Sequence, residues 1–107
     1  MNSTLLDALL APTCIYIPDV LPLLREGSLK ALAHITGGGI LENLPRVLPI
    51  DTNAEIDLST WDLPPVFQWL QQHGSLEKIE MLRTFNCGIG MVVAIDKKYI
   101  EEATNIL

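Results

Sequence analysis

The spacing of apolar residues along this chain changes several times, and each change predicts an element. Leu5, Leu6, Leu9 and Leu10 recur at helical spacing in an apolar stretch over residues 1–11. A second helix is expected to end at Gly27, with Asp19 as its N-cap. Leu29, Ala31, Ala33 and Ile35 then alternate with Lys30, Leu32 and His34, the period of two that marks a strand. Gly37, Gly38 and Gly39 break it. A helical segment is predicted around Ile40 to Val47, interrupted or shaped by Pro45, which lacks the N–H that a helix interior uses. Ala54 to Leu58 alternates again and predicts a further strand. Pro64 and Pro65 suit the first turn of a helix, which carries Val66, Phe67, Trp69 and Leu70 and stops at Gly74. Ser75 is expected to cap the next helix, which runs towards Arg83. Met91 to Ile95 is a continuous apolar run, read as a buried strand, and Asp96 caps a last helix that is still running at Leu107.

Strands alternating with helices predict an α/β fold. At 107 residues the chain is one domain, residues 1–107, with a modest core and no internal repeat or low-complexity segment. Its apolar content of 49% and mean hydropathy of +0.30 point either to a large core or to an apolar face covered by a partner or another domain. No run approaches the roughly 18 apolar residues that span a bilayer. The N-terminus shows neither a basic region nor a cleavage site, so a cytoplasmic protein without membrane contact is expected. Cys14 and Cys87 then read as reduced thiols. The net charge is −6 and the basic residues are scattered, which argues against nucleic-acid binding. A phosphorylated ligand would need a local site built from backbone N–H groups, Arg46 or Arg83.

The candidate chemistry sits around two glycine-containing segments. Gly37 to Gly39 stand between a strand and a helix, where backbone N–H groups can face an anion and no Cβ blocks its approach. Three glycines can equally form a tight turn. No Lys-Ser/Thr follows as in a nucleotide P-loop, and Glu42 stands where the dinucleotide fingerprint needs its last glycine. His34, at the strand end, suits a general acid or base as well as a structural role. Asn43 and Arg46 are three apart, so a continuous helix would put them on one face, where Arg46 could grip phosphate with its fork or simply be solvated. Asn86, in the second segment with Gly88 and Gly90, could hold a substrate or fix the turn. Cys87 has no base placed beside it and reads as space-filling. His73 reads as a partner for a helix C-terminus. Trp61, Phe67 and Trp69 read as core or interface, because no basic residues interleave with them. The histidines and cysteines are too dispersed for a metal site.

Three segments together, PTCIY (Pro12 to Tyr16), HITGGGILENLPRVLP (His34 to Pro49) and RTFNCGIGM (Arg83 to Met91), resemble the C-terminal domain of phosphoribosylformylglycinamidine cyclo-ligase, or aminoimidazole ribonucleotide synthetase. WLQQ-x-G (Trp69 to Gly74) and RTFNCGIG (Arg83 to Gly90) look most like the version fused into the eukaryotic trifunctional purine-synthesis protein. The resemblance implies a layered α/β/α domain, distantly ferredoxin-like, with further strands beyond Leu107 and an ATP-binding N-terminal domain outside this chain. It implies ring closure of formylglycinamidine ribonucleotide to aminoimidazole ribonucleotide. In that reaction ATP turns the formyl amide oxygen into a phosphate ester, the amidine-side nitrogen attacks, and phosphate leaves. It implies His34 as catalytic, with Thr36, Gly37, Gly38, Gly39, Asn43, Arg46 and Asn86 on the phosphorylated substrate. It further implies ATP and Mg²⁺ in a complete homodimeric enzyme, with neither bound by this chain alone and the isolated chain inactive. The rival readings are a non-catalytic fragment or interaction module, and a related enzyme of the superfamily that includes formylglycinamidine synthetase, selenophosphate synthetase and thiamine-phosphate kinase.

Overall fold

A computed structural model describes residues 4–107. Helix α1 (Leu5–Leu9) opens on a reciprocal cap in which the Thr4 hydroxyl accepts from the Asp7 N–H and the Asp7 carboxylate accepts from the Thr4 N–H. The first three residues of the predicted apolar stretch lie outside the described residues. Helix α2 (Ile17–Glu26) begins two residues before Asp19, which sits in its first turn rather than capping it. Tyr16 holds the N-cap place and Pro18 lies in the first turn, where a missing N–H costs nothing. Gly27 ends the helix at φ 80°, donating its N–H to the Leu24 carbonyl.

Strand β1 (Leu29–His34) pairs antiparallel with strand β2 (Met91–Ile95), in the register His34 to Met91, Ala33 to Val92 and Leu32 to Val93, with an irregularity between Leu29 and Ala31. The ladder continues past the strand as Ile35 N–H donates to Gly90 O at 2.9 Å. The predicted alternation is realised where it matters: Ala33 and Ile35 are buried, while Leu32 and His34 face outward. Helices with this two-stranded sheet make an α/β fold, as expected.

Pro45 interrupts the segment expected to be helical around Ile40 to Val47, and two further expectations are corrected. α3 (Gly39–Asn43) stops before Pro45, whose ring cannot continue α-helical bonding, and Pro45–Val47 turn as a 3₁₀ helix. Ala54 to Leu58 forms no strand. Asp57 instead accepts from Ser59 N–H at 3.0 Å and opens a 3₁₀ turn over Leu58–Thr60, and the alternating residues find no partner strand. Ser75 does not cap the helix after it. It closes α4 (Pro65–Gly74) in the left-handed conformation, at φ 51°, and Glu77 precedes α5 (Lys78–Thr84). Asp96 does cap: its carboxylate accepts from Lys98 N–H, and a 3₁₀ turn (Lys97–Tyr99) leads into α6 (Ile100–Ile106).

The core gathers beneath the glycine turn. Ala33, Ile35, Ile40 and Leu44 are buried together, with Val47, Leu48, Leu82, Ile89 and Val92 packed around them. Burying side chains of this size contributes about 1.5–3 kcal/mol each for the aliphatic residues larger than alanine. The end of β1, the glycine turn and α3 are therefore anchored from below by the same cluster. Among the described residues no helix is long and apolar enough to cross a membrane.

Candidate functional site

The three consecutive glycines have three different environments. Gly37 lies outside the left-handed region, and a Cβ there would meet nothing within 4 Å. Gly38 takes φ 97°, and a Cβ would press on the Glu42 side chain. Gly39 takes φ 63°, and a Cβ would overlap the Leu82 carbonyl oxygen, with the Phe85 carbonyl also close at 2.9 Å. The C-terminal end of α5 thus packs directly on the glycine backbone, a distance only glycine permits. Gly39 N–H donates to Thr36 O at 2.9 Å and closes the turn. Among the described residues, no backbone carbonyl takes the N–H of Gly37 or Gly38.

Asn43 is 8% exposed, and its Nδ2 donates to Thr36 O at 3.2 Å, Gly37 O at 3.2 Å and Gly39 O at 2.8 Å. Its amide nitrogen is therefore directed into the loop. Arg46 follows on the exposed 3₁₀ turn, so it does not share an α-helical face with Asn43. Among the described residues the only ion pair is Arg83 with Glu80, 3.4 Å apart, which leaves Arg46 without a carboxylate partner.

The second loop is built around its own asparagine. Asn86 Oδ1 accepts from Gly88 N–H at 2.9 Å, and Ile89 N–H donates to Asn86 O at 3.0 Å. This side-chain turn carries Cys87 at φ 54° and Gly88 at φ 93°. Cys87 is buried with its thiol donating to Met81 O, and burial pushes that thiol above its ordinary pKa. Its burial and its bond to a backbone carbonyl are in keeping with the space-filling reading. Trp61 Nε1 donates to Cys87 O at 3.1 Å across 26 residues of sequence and pins the loop from outside.

A cleft of about 610 Å³ runs between these two loops, α1, α4 and the Pro12 to Tyr16 segment. Its volume is in the range of small-molecule sites. His34, Thr36 and Asn86 line it together, whereas Gly37 to Gly39, Asn43 and Arg46 lie outside its walls. The lining contains no aspartate, glutamate, lysine or arginine. Among the described residues no three His, Cys, Asp or Glu side chains converge as a metal site. The cleft residues thus do not fit a magnesium-nucleotide complex, which needs carboxylates or a cationic phosphate clamp.

Tyr16 is the site residue that sequence reasoning passed over. Its ring stands edge-on to the His34 imidazole, with centroids 6.2 Å apart at 63°, and its hydroxyl lies against Gly90, where a Cβ would collide. The signal was the tyrosine closing PTCIY, which carries the resemblance but had no assigned role. Tyr16 therefore ties the first segment to both glycine loops. His73 does lie in the last turn of α4, with Nδ1 3.0 Å from Trp69 O and its ring stacked on Trp69.

Comparison with known proteins matches residues 2–107 to the model of the AIR synthase related protein C-terminal domain. A phosphoribosylformylglycinamidine cyclo-ligase of Chromobacterium violaceum is 53% identical over 106 residues, covering 99% of this chain and 31% of that protein. The human trifunctional purine biosynthetic protein adenosine-3 is 54% identical over 101 residues, covering 94% of this chain and 10% of that protein. The chain thus spans about a third of the bacterial relative and a tenth of the human one. With the family model matched from residue 2 to the last residue, the chain belongs to the AIR synthase C-terminal domain family.

Proposed function

We propose that this chain is the substrate-side part of an ATP-dependent phosphoribosylformylglycinamidine cyclo-ligase, acting in purine biosynthesis in the cytoplasm. The observation that carries the reading is the cleft in which His34, Thr36 and Asn86 converge from two separate glycine loops. Among the described residues the N–H groups of Gly37 and Gly38 are taken by no backbone carbonyl and Arg46 has no carboxylate partner, so a chain of net charge −6 keeps backbone donors and one cation for an anion. These groups suit the phosphate of the ribonucleotide. His34 suits removal of the proton from the nitrogen that closes the ring, and Thr36 and Asn86 suit contacts to the substrate's amide end.

The cleft does not fit a magnesium nucleotide, so ATP and Mg²⁺ belong on an N-terminal domain supplied by the rest of the protein, which works as a homodimer. When bound there, ATP supplies the phosphoryl group that turns the amide oxygen into a leaving group. The chain's own contribution is to bind, orient and deprotonate. Positioning of this kind accounts for a large share of the rate in two-substrate reactions.

The test is His34→Ala in the complete protein that carries this domain. Turnover is expected to fall by about 10²–10⁴-fold with an unchanged melting temperature. Near-normal turnover with a lowered melting temperature would make His34 a structural residue and refute its assignment.

A further inference from the structure

We propose that Asn43 is a positioning residue that aims the donors of the glycine turn, rather than a group that touches substrate. A trans peptide points its C=O and N–H in opposite directions. The carbonyls of Thr36 and Gly37 are both turned inward onto Asn43 Nδ2, at 3.2 Å each. The N–H groups on the far side of those two peptides belong to Gly37 and Gly38. They must therefore face away from Asn43, and they are the amides that no backbone carbonyl takes.

The buried amide has two hydrogens and serves three carbonyls, the strongest being Gly39 O at 2.8 Å. Gly39 is held on its other side by the backbone of Leu82 and Phe85 at the end of α5. The turn is thus clasped from within by Asn43 and from without by α5. Asn43 itself is carried by α3, whose Ile40 and Leu44 are set in the core below. A chain running from core to α3 to Asn43 to the outward amides fixes where an anion can sit. This refines the functional reading above and depends on it for the identity of the anion, the substrate's phosphate.

The variant that isolates this role is Asn43→Asp, which keeps the side-chain shape and places oxygen, not N–H, against three carbonyl oxygens. Leu23→Ala is the comparison, because Leu23 is fully buried in α2, outside the cluster beneath the turn, and its loss weakens the fold without touching the clasp. Both are made in the complete protein, and amide hydrogen exchange at Gly39, whose N–H closes the turn on Thr36 O, is read with ring-closure kinetics. Asn43→Asp should speed that exchange about tenfold or more and raise the KM for the ribonucleotide similarly, with the KM for ATP unchanged. Leu23→Ala should lower the melting temperature and move neither. Wild-type protection of Gly39 in folded Asn43→Asp, or the same KM shift in Leu23→Ala, overturns the proposal. If the wild-type protein lacks ring-closure activity, the functional reading fails, and the exchange comparison still decides whether Asn43 sets the turn.

Discussion

Three identical letters in a row, Gly37, Gly38 and Gly39, should respond to alanine with three different costs. At Gly37 a Cβ meets nothing within 4 Å and the backbone is outside the left-handed region. Gly37→Ala should then be neutral or stabilising by about 0.4–1 kcal/mol, because alanine restricts the unfolded chain. At Gly38, φ 97° costs an L-residue about 1–2 kcal/mol; the exposed Glu42 carboxylate can swing aside, but Glu42 Cβ, 2.9 Å from the added methyl, must shift slightly with α3. At Gly39 the same left-handed cost applies at φ 63°, but the obstacle is the Leu82 and Phe85 backbone. Those carbonyls cannot yield unless α3 separates from α5, so an overpacking cost of about 1–3 kcal/mol adds to the strain. The total for Gly39→Ala is about 2–5 kcal/mol, a large fraction of the roughly 5–15 kcal/mol that holds a domain folded. Urea unfolding of the three variants, followed by circular dichroism at constant m-value, measures the series directly. An equal loss at all three positions, or the largest loss at Gly37, would refute the packing argument. Gly37→Ala is also the informative variant for function. It is expected to fold normally, so a weaker hold on ribonucleotide would be a direct effect of the methyl group at the anion surface.

Two further outcomes are expected. Arg46→Lys keeps the charge but loses the planar fork, and ribonucleotide binding in the complete protein should weaken by about 1–3 kcal/mol; wild-type kinetics in Arg46→Ala would make it a surface arginine. A thiol reagent should modify exposed Cys14 in the native protein and buried Cys87 only on unfolding. Because burial holds the Cys87 thiol above its ordinary pKa in the folded state, the unfolded chain loses that proton first as pH rises. The contribution is therefore intact below the ordinary thiol pKa and is lost as pH rises through the raised one, and Cys87→Ser should remove that alkaline decline from an unfolding series.

The parts of the fold legible in the sequence were those decided by local pattern. The alternation before His34 and the apolar run from Met91 specify the two strands, and Pro65 and Gly27 mark helix boundaries through backbone restrictions that act within a few residues. What misled was local pattern without a partner. Ala54 to Leu58 alternates like a strand, yet Ile56 is 37% exposed and Asp57 spends its carboxylate on Ser59. A strand needs a neighbour, and nothing within the segment supplies one. Ser75 takes a conformation that glycine usually fills, with Gly74 held one residue earlier inside the helix under the Leu76 side chain. Of the candidate site, the residues of the two glycine loops were legible. Their division of labour was not, because it depends on contacts remote in sequence. Trp61 bonds to Cys87, Tyr16 lies against Gly90, and the α5 backbone presses on Gly39.

The pairing of β1 with β2 also sets a timetable for synthesis. His34 leaves the ribosome long before Met91, the residue it will face in the sheet. At roughly 5–20 residues per second, the intervening stretch of about 57 residues takes on the order of 3–11 seconds to appear. Throughout that interval β1 lacks β2, its partner among the described residues, and the N–H and C=O groups that β2 will take are without it. Closing so long a loop carries its entropic cost before any sheet contact offsets it. The cleft, which needs both loops, therefore cannot form until Met91 has emerged. A pause placed between codons 34 and 91 should prolong the protease-sensitive period of the first loop in proportion to its length.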